Sequence, residues 1–149
     1  MQRIVITFKR YFLDFYDDQA EEVQTKIEWT LTLISTIPVV PVKYLKHIEG
    51  TKGLYEIRIE VNSNIYRIFC FFYKGNIIVL GNAFQKKTDK TPKFEITKAL
   101  KIMEEYKNEN KSKKARFDFF ICFDLKYQGN SFFQTTGTCF LRSGHIQNP

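Results

Sequence analysis

A chain of 149 residues can bury one sizeable core and leaves little room for a second, so one compact domain is the starting expectation. Its 44% hydrophobic and 26% charged residues are ordinary for a globular protein; no run reaches the roughly 18 apolar residues of a membrane span, and the polar N-terminus does not suit a secretory signal, so the expected location is cytoplasmic, with no membrane partner. The net charge of +7 favours polyanionic or acidic partners, and Cys70, Cys122 and Cys139, odd in number and without C-x-x-C spacing, point to neither a disulfide framework nor a zinc site.

Arg3 to Phe8 is β-branched and aromatic, which predicts a short strand. A helical region follows, with Asp17 and Asp18 available as caps, Glu21 and Glu22 in the first turn, and Ala20, Val23, Ile27, Leu31 and Ile34 at three- and four-residue spacing. Pro38 and Pro41 end that pattern, and the stretch through Lys43, Lys46, His47 and Lys52 to Gly53 reads as a basic surface connection. Three strands are then predicted, Leu54 to Val61, Ile65 to Tyr73 and Asn76 to Phe84, with Asn62-Ser63-Asn64 and Lys74-Gly75-Asn76 as hairpin turns because Asn and Gly tolerate positive φ. In the first of these, Tyr55, Ile57, Ile59 and Val61 alternate with Glu56, Arg58 and Glu60, which gives one apolar and one charged face.

Thr91 is the expected cap of a last helix, with Pro92 in its first position, Glu95 in its first turn and Ile96, Ala99, Leu100 and Met103 as its inward stripe. Strand, helix, meander and helix make an α+β fold complete by about residue 110: a small curved antiparallel sheet with N-terminal helices and a C-terminal helix. Residues 111–149 stand apart as an atypical aromatic-rich tail. It opens on Lys111, Lys113, Lys114 and Arg116, continues through Phe117, Phe119, Phe120 and Phe123, and has Gly129-Asn130-Ser131 as a hairpin signal.

The run Gly53-Leu54-Tyr55-Glu56-Ile57-Arg58 resembles the G-L-W/Y-E-L/I-R stretch of HigB-like, phage-derived toxins of the RelE/ParE superfamily. Tyr66-Arg67-Ile68 is similar to the Y-R-I/V of that superfamily's next strand. Phe84-Gln85-Lys86-Lys87-Thr88, followed by Thr91-Pro92, Glu95-Ile96 and Ala99, resembles its F-x-K-K-T…T-P-x-x-E-I-x-x-A ending. The resemblance covers roughly residues 3 to 108. It implies a toxin of a type II toxin-antitoxin system, a ribosome-dependent endoribonuclease that cuts mRNA in the A site and so inhibits translation. It also implies a neutralising antitoxin, commonly a helix-turn-helix protein. On the same scaffold stand a ParE-like reading, in which the chain poisons gyrase, and a non-enzymatic interaction domain derived from a toxin.

Cleavage of RNA by its own 2'-hydroxyl needs a proton acceptor, cations on the phosphate and a proton source for the leaving 5'-oxygen; a metal is not obligatory, and no cofactor is expected. The sequence has no HExxH, no Gly-rich phosphate loop and no nucleophile elbow, so basic residues of the sheet are the candidates. Arg67 leads, because a guanidinium in the middle of an apolar strand either faces a functional groove or pairs with Glu56 or Glu60 across the hairpin. Arg58 shares a face with those glutamates and is open to either reading. Lys86 and Lys87 can clamp phosphate or donate a proton, or stand as a solvated pair at a strand end. Lys43, Lys46 and Lys52 add attraction to ribosomal RNA or simply line a loop. His47 has a suitable ring but lies alone. The resemblance further implies a base-stacking aromatic after the basic pair, where this chain has Phe94, which could equally be a helix contact with the core. Trp29 is read as a packing residue.

Overall fold

The computed structural model describes residues 2–88 and 90–112. Its elements are β1 (Ile4–Thr7), α1 (Leu13–Asp17), α2 (Glu21–Thr36), β2 (Leu45–His47), β3 (Leu54–Val61), β4 (Asn64–Tyr73), β5 (Ile77–Lys86) and α3 (Lys93–Ser112). The fold is α+β, and the five strands form one sheet in the order β1-β5-β4-β3-β2. The expected meander is present: Asn62, Ser63 and Lys74 take positive φ, as does Gly75, in the two hairpin turns.

The sheet is mixed, where an antiparallel one was expected, because β1 lies parallel to β5, with Ile4 opposite Ile77 and Thr7 opposite Leu80. The chain leaves β1, returns along the sheet through α2 and reaches β5 only after the meander, so β1 can join the free edge of β5 running in the same direction. Four apolar residues announce a strand but carry nothing about its direction. A second difference is β2, which pairs Leu45 with Ile57 and Lys46 with Glu56 in a stretch expected to be a loop. Three residues are too few for alternation to show, and a lysine on the outermost strand is how sheets protect an edge.

Helix starts are also displaced from their expected caps. Asp17 and Asp18 close α1 instead of opening α2, whose N-cap is Ala20, while Glu21 and Glu22 do occupy the first turn of α2. At α3 the carbonyl of Pro92 accepts from the Glu95 and Ile96 amides, so the helix begins at Lys93, one residue later than expected. The hairpin signal at 129–131 and all of the tail after Ser112 lie outside the described residues.

Period-two alternation gives the sheet two faces. On one, Val23, Ile27, Leu31 and Ile34 of α2 pack on Ile57, Ile59, Ile68, Cys70, Ile78 and Leu80. On the other, Ala99, Ile102, Met103 and Tyr106 of α3 cover Leu54, Phe69, Phe71 and Val79. Tyr106 takes up part of the aromatic excess, with its ring edge-on to Phe8 and Tyr73 at 5.1 and 5.2 Å and near Phe71 at 5.5 Å. Close approach of α3 is helped by Gly81, where a Cβ would stand 3.4 Å from the Phe69 carbonyl oxygen and 3.8 Å from Ile102.

Candidate functional site

Helix α3 covers only part of its face of the sheet. Register assigns the remainder: Lys46 sits opposite Glu56, Arg58 opposite Arg67, Arg67 opposite Phe84, and Ile65 opposite Lys86. Partners across a ladder point to the same side, so Lys46, Glu56, Arg58, Arg67 and Lys86 share one face, beside the apolar rings of Phe69 and Phe84. Those two rings lie 5.7 Å apart.

Arg67 is the most enclosed of these cations, at 3% exposure. Its Nη1 donates to its neighbour Tyr66's carbonyl at 2.9 Å, and its Nε stands 3.7 Å from Glu56 Oε2. Arg58 Nε stands 3.4 Å from the other carboxylate oxygen, Oε1. Both separations are longer than the 2.7–2.9 Å or so of a well-formed guanidinium–carboxylate hydrogen bond. Accordingly, Glu56 Oε2, Arg58 Nε and Arg67 Nε are buried without a hydrogen-bond partner. Burial pulls the Arg67 guanidinium below its ordinary value, and the Glu56 charge pushes it back up.

A bulge shapes the rim. Between the pairs Ile68–Ala83 and Cys70–Leu80, β5 advances one residue more than β4, which turns both Gly81 and Asn82 toward the α3 side. Asn82, nearly fully buried, donates from Nδ2 to Glu95 Oε2 at 2.7 Å and to the Glu95 carbonyl at 3.3 Å, while its Oδ1 has no partner. The first turn of α3 is thereby fastened to the sheet next to the charged patch. Phe94, in that turn and 68% exposed, is not a core contact.

The structure thus brings Arg58, Arg67 and Lys86 together and adds Lys46, which had been placed in a loop. Lys87 lies one residue past the end of β5 and is exposed. Lys43 and Lys52 are exposed outside the strands, the first with its ammonium 4.7 Å from the Tyr44 ring centroid. His47 is on the opposite face, edge-on to Tyr55 at 5.1 Å. Trp29 is 45% exposed, edge-on to Tyr44 with Lys26 over its ring at 4.2 Å, and so packs at the surface, outside the core. Asn82 and Glu95 were missed, although a Gly-Asn pair interrupting an apolar strand signals a bulge.

An open groove of about 800 Å³ lies elsewhere, between α2 and the β3–β4 hairpin. Glu21, Glu22 and Glu60 line it against a single lysine, Lys26, a charge balance that repels phosphate. Among the described residues no group of three or more His, Cys, Asp or Glu is placed to hold a metal ion, and no helix is long and apolar enough to cross a membrane.

The charged patch is a cationic surface with apolar rings at its base, able to hold a phosphodiester and stabilise charge developing on it. A family model described as phage-derived protein, Gp49-like (DUF891), matches residues 14–104, which run from α1 into α3 and include every residue of the patch. No curated protein matches the chain.

Proposed function

Because the chain belongs to the Gp49-like family of phage-derived proteins, we propose that it is the toxin of a type II toxin-antitoxin system, of the RelE/ParE kind and on its HigB-like branch, and that it cleaves mRNA on the ribosome. The observation that carries this reading is the placement of Arg67: a nearly sealed guanidinium in the sheet, on the same face as the more open Arg58, Lys86 and Lys46. A buried cation is costly unless something repays it, and a substrate phosphate would do so.

In this reaction the 2'-hydroxyl attacks the adjacent phosphorus, the 5'-oxygen leaves, and a 2',3'-cyclic phosphate and a 5'-hydroxyl result. Arg67 and Arg58 hold the charge that develops on the non-bridging oxygens. Lys86 and Lys87 clamp the phosphate; the proton of the 2'-hydroxyl passes to water, and a lysine ammonium supplies one to the leaving oxygen. Phe94 offers a ring on which a base can stack, and Lys43, Lys46 and Lys52 strengthen docking on ribosomal RNA. An antitoxin, in this reading a helix-turn-helix protein, would lay an acidic segment over the same cations, and its affinity would fall as salt rises.

The test is induction of the full chain without an antitoxin, followed by mapping of RNA 5'-ends and of chromosomal breaks. Growth arrest with new 5'-hydroxyl ends inside translated messages is the expected result. DNA breaks with intact messages would instead assign the ParE-like activity against gyrase. Normal growth at full expression would leave a non-enzymatic interaction domain.

A further inference from the structure

We infer that Glu56 is an internal stand-in for the substrate phosphate: it occupies the two arginines in the resting protein and gives up Arg58 when a phosphodiester arrives, so that it sets the affinity of the patch for RNA. This rests on the reading of the patch as an RNA-binding surface.

Glu56 is the one buried carboxylate on this face among the described residues, at 5% exposure, with Arg58 on one of its oxygens and Arg67 on the other. Lys46 is its direct neighbour across the β2–β3 ladder. One buried anion among three cations, with the exposed Glu60 farther along the same face, takes the position a phosphate would take. Yet it is held loosely: at 3.4 and 3.7 Å neither contact is a hydrogen bond, and both Nε atoms remain unsatisfied. A carboxylate gripped in a bidentate fork would be a strong competitor for phosphate, whereas one held only by charge at these distances is a weak one.

The two arginines are not held alike. Arg67 is sealed in and anchored through Nη1 to the Tyr66 carbonyl, so it stays in place. Among the described residues Arg58 has Glu56 as its sole ion-pair partner and makes no side-chain hydrogen bond, and its side chain is 32% exposed. It can swing its guanidinium outward without breaking anything except the pair with Glu56. A phosphodiester arriving at the patch then bonds to the Nη groups of Arg58 above the fixed charge of Arg67, while Glu56 remains beside Arg67, which is why the exchange does not strand a buried charge.

The experiment is equilibrium binding of a fluorescent, uncleavable 2'-O-methyl oligoribonucleotide to the full chain at low and moderate salt, without ribosomes, for the parental protein, Glu56→Gln, Arg58→Ala and the double variant. Glutamine keeps the volume and removes the charge. Glu56→Gln should bind on the order of tenfold tighter at low salt, the effect of removing one unit charge a few ångströms from the phosphate, and most of that gain should vanish when Arg58→Ala is added. A purely structural glutamate would lower the melting temperature and leave affinity unchanged or weaker. Equal or weaker binding by a folded Glu56→Gln variant overturns the inference while leaving the RNA-binding reading intact. If neither the parental protein nor Glu56→Gln binds the oligonucleotide at low salt, the reading of the patch falls and the inference falls with it.

Discussion

The two faces of the same sheet are built to opposite rules. Toward α2, Ile57, Ile59, Ile68, Cys70, Ile78 and Leu80 are all buried and apolar. Toward α3, the neighbouring positions of the same strands begin as core, with Leu54, Phe71 and Val79, and end as charge, with Glu56, Arg58, Arg67 and Lys86. Among the described residues, the four buried polar side-chain atoms left without hydrogen bonds are all on the α3 side. One residue of offset along a strand therefore separates what holds the fold from what the fold presents, and the unsatisfied groups gather where a ligand would satisfy them.

Adjacent residues of β4 give the sharpest way to break that comparison. Ile68→Ala should cost about 3 to 4 kcal/mol of stability, since a fully buried isoleucine leaves a cavity under α2. Arg67→Met, one position away, should cost less, about 1 to 2 kcal/mol: the desolvation cost of a buried cation disappears, but the buried Glu56 loses one of its two counter-ions and keeps only Arg58. Urea melts of the two variants would read the difference, and equal losses would show that the faces are not divided as described. Glu56→Ala should be worse than Arg67→Met, by about 3 kcal/mol, since it strips a sealed guanidinium of its counter-ion.

Asn82→Ala should cost about 1 kcal/mol, because the hydrogen bond to Glu95 is lost while an unsatisfied buried oxygen is also removed. Its mark would be faster amide exchange in the first turn of α3. Unchanged exchange there would mean that the bulge does not fasten the helix.

The α2 side should also carry the response to alkali. Burial, aided by a hydrogen bond from its hydroxyl to Glu28, raises the Tyr16 phenol above its ordinary 10.0, and burial raises the Cys70 thiol above 9.0. Both groups keep their protons in the folded protein after the unfolded chain has lost them. Their contribution is complete below those ordinary values and is lost as pH rises past 9 to 10. Thermal melts from pH 7 to 11 should show this decline, and Tyr16→Phe should flatten it; the same slope in that variant would assign the effect elsewhere. The smallest expected effect is that of Lys52→Ala, an exposed residue before β3, which should lower the salt slope of RNA binding by about one and leave stability alone.

Much of this architecture was legible in the sequence because hydrophobic alternation is a local signal. The charged stripe of Glu56, Arg58 and Glu60 follows from period two, the two turns of the meander from their Asn and Gly residues, and α2 and α3 from three- and four-residue spacing. What stayed hidden is what partners decide. The direction of β1 depends on β5, seventy residues on; β2 exists only because β3 offers it an edge; and Ala20 caps α2 because Asp18 is already used to end α1. In the site, Arg67 was legible as a misplaced charge and Glu56 as one of its two candidate partners. The looseness of that pair, the arrival of Lys46 on the same face and the Asn82–Glu95 link are products of register and the bulge, which composition cannot show.

The most direct test of the account is mRNA cleavage on purified ribosomes by Arg67→Met, measured beside the melt that establishes its fold. The variant should remain folded and be slower by on the order of a hundredfold, the usual loss when one preorganised cation leaves a site of developing charge. A folded Arg67→Met protein that cleaves at the parental rate would contradict the claim that this face of the sheet does the chemistry.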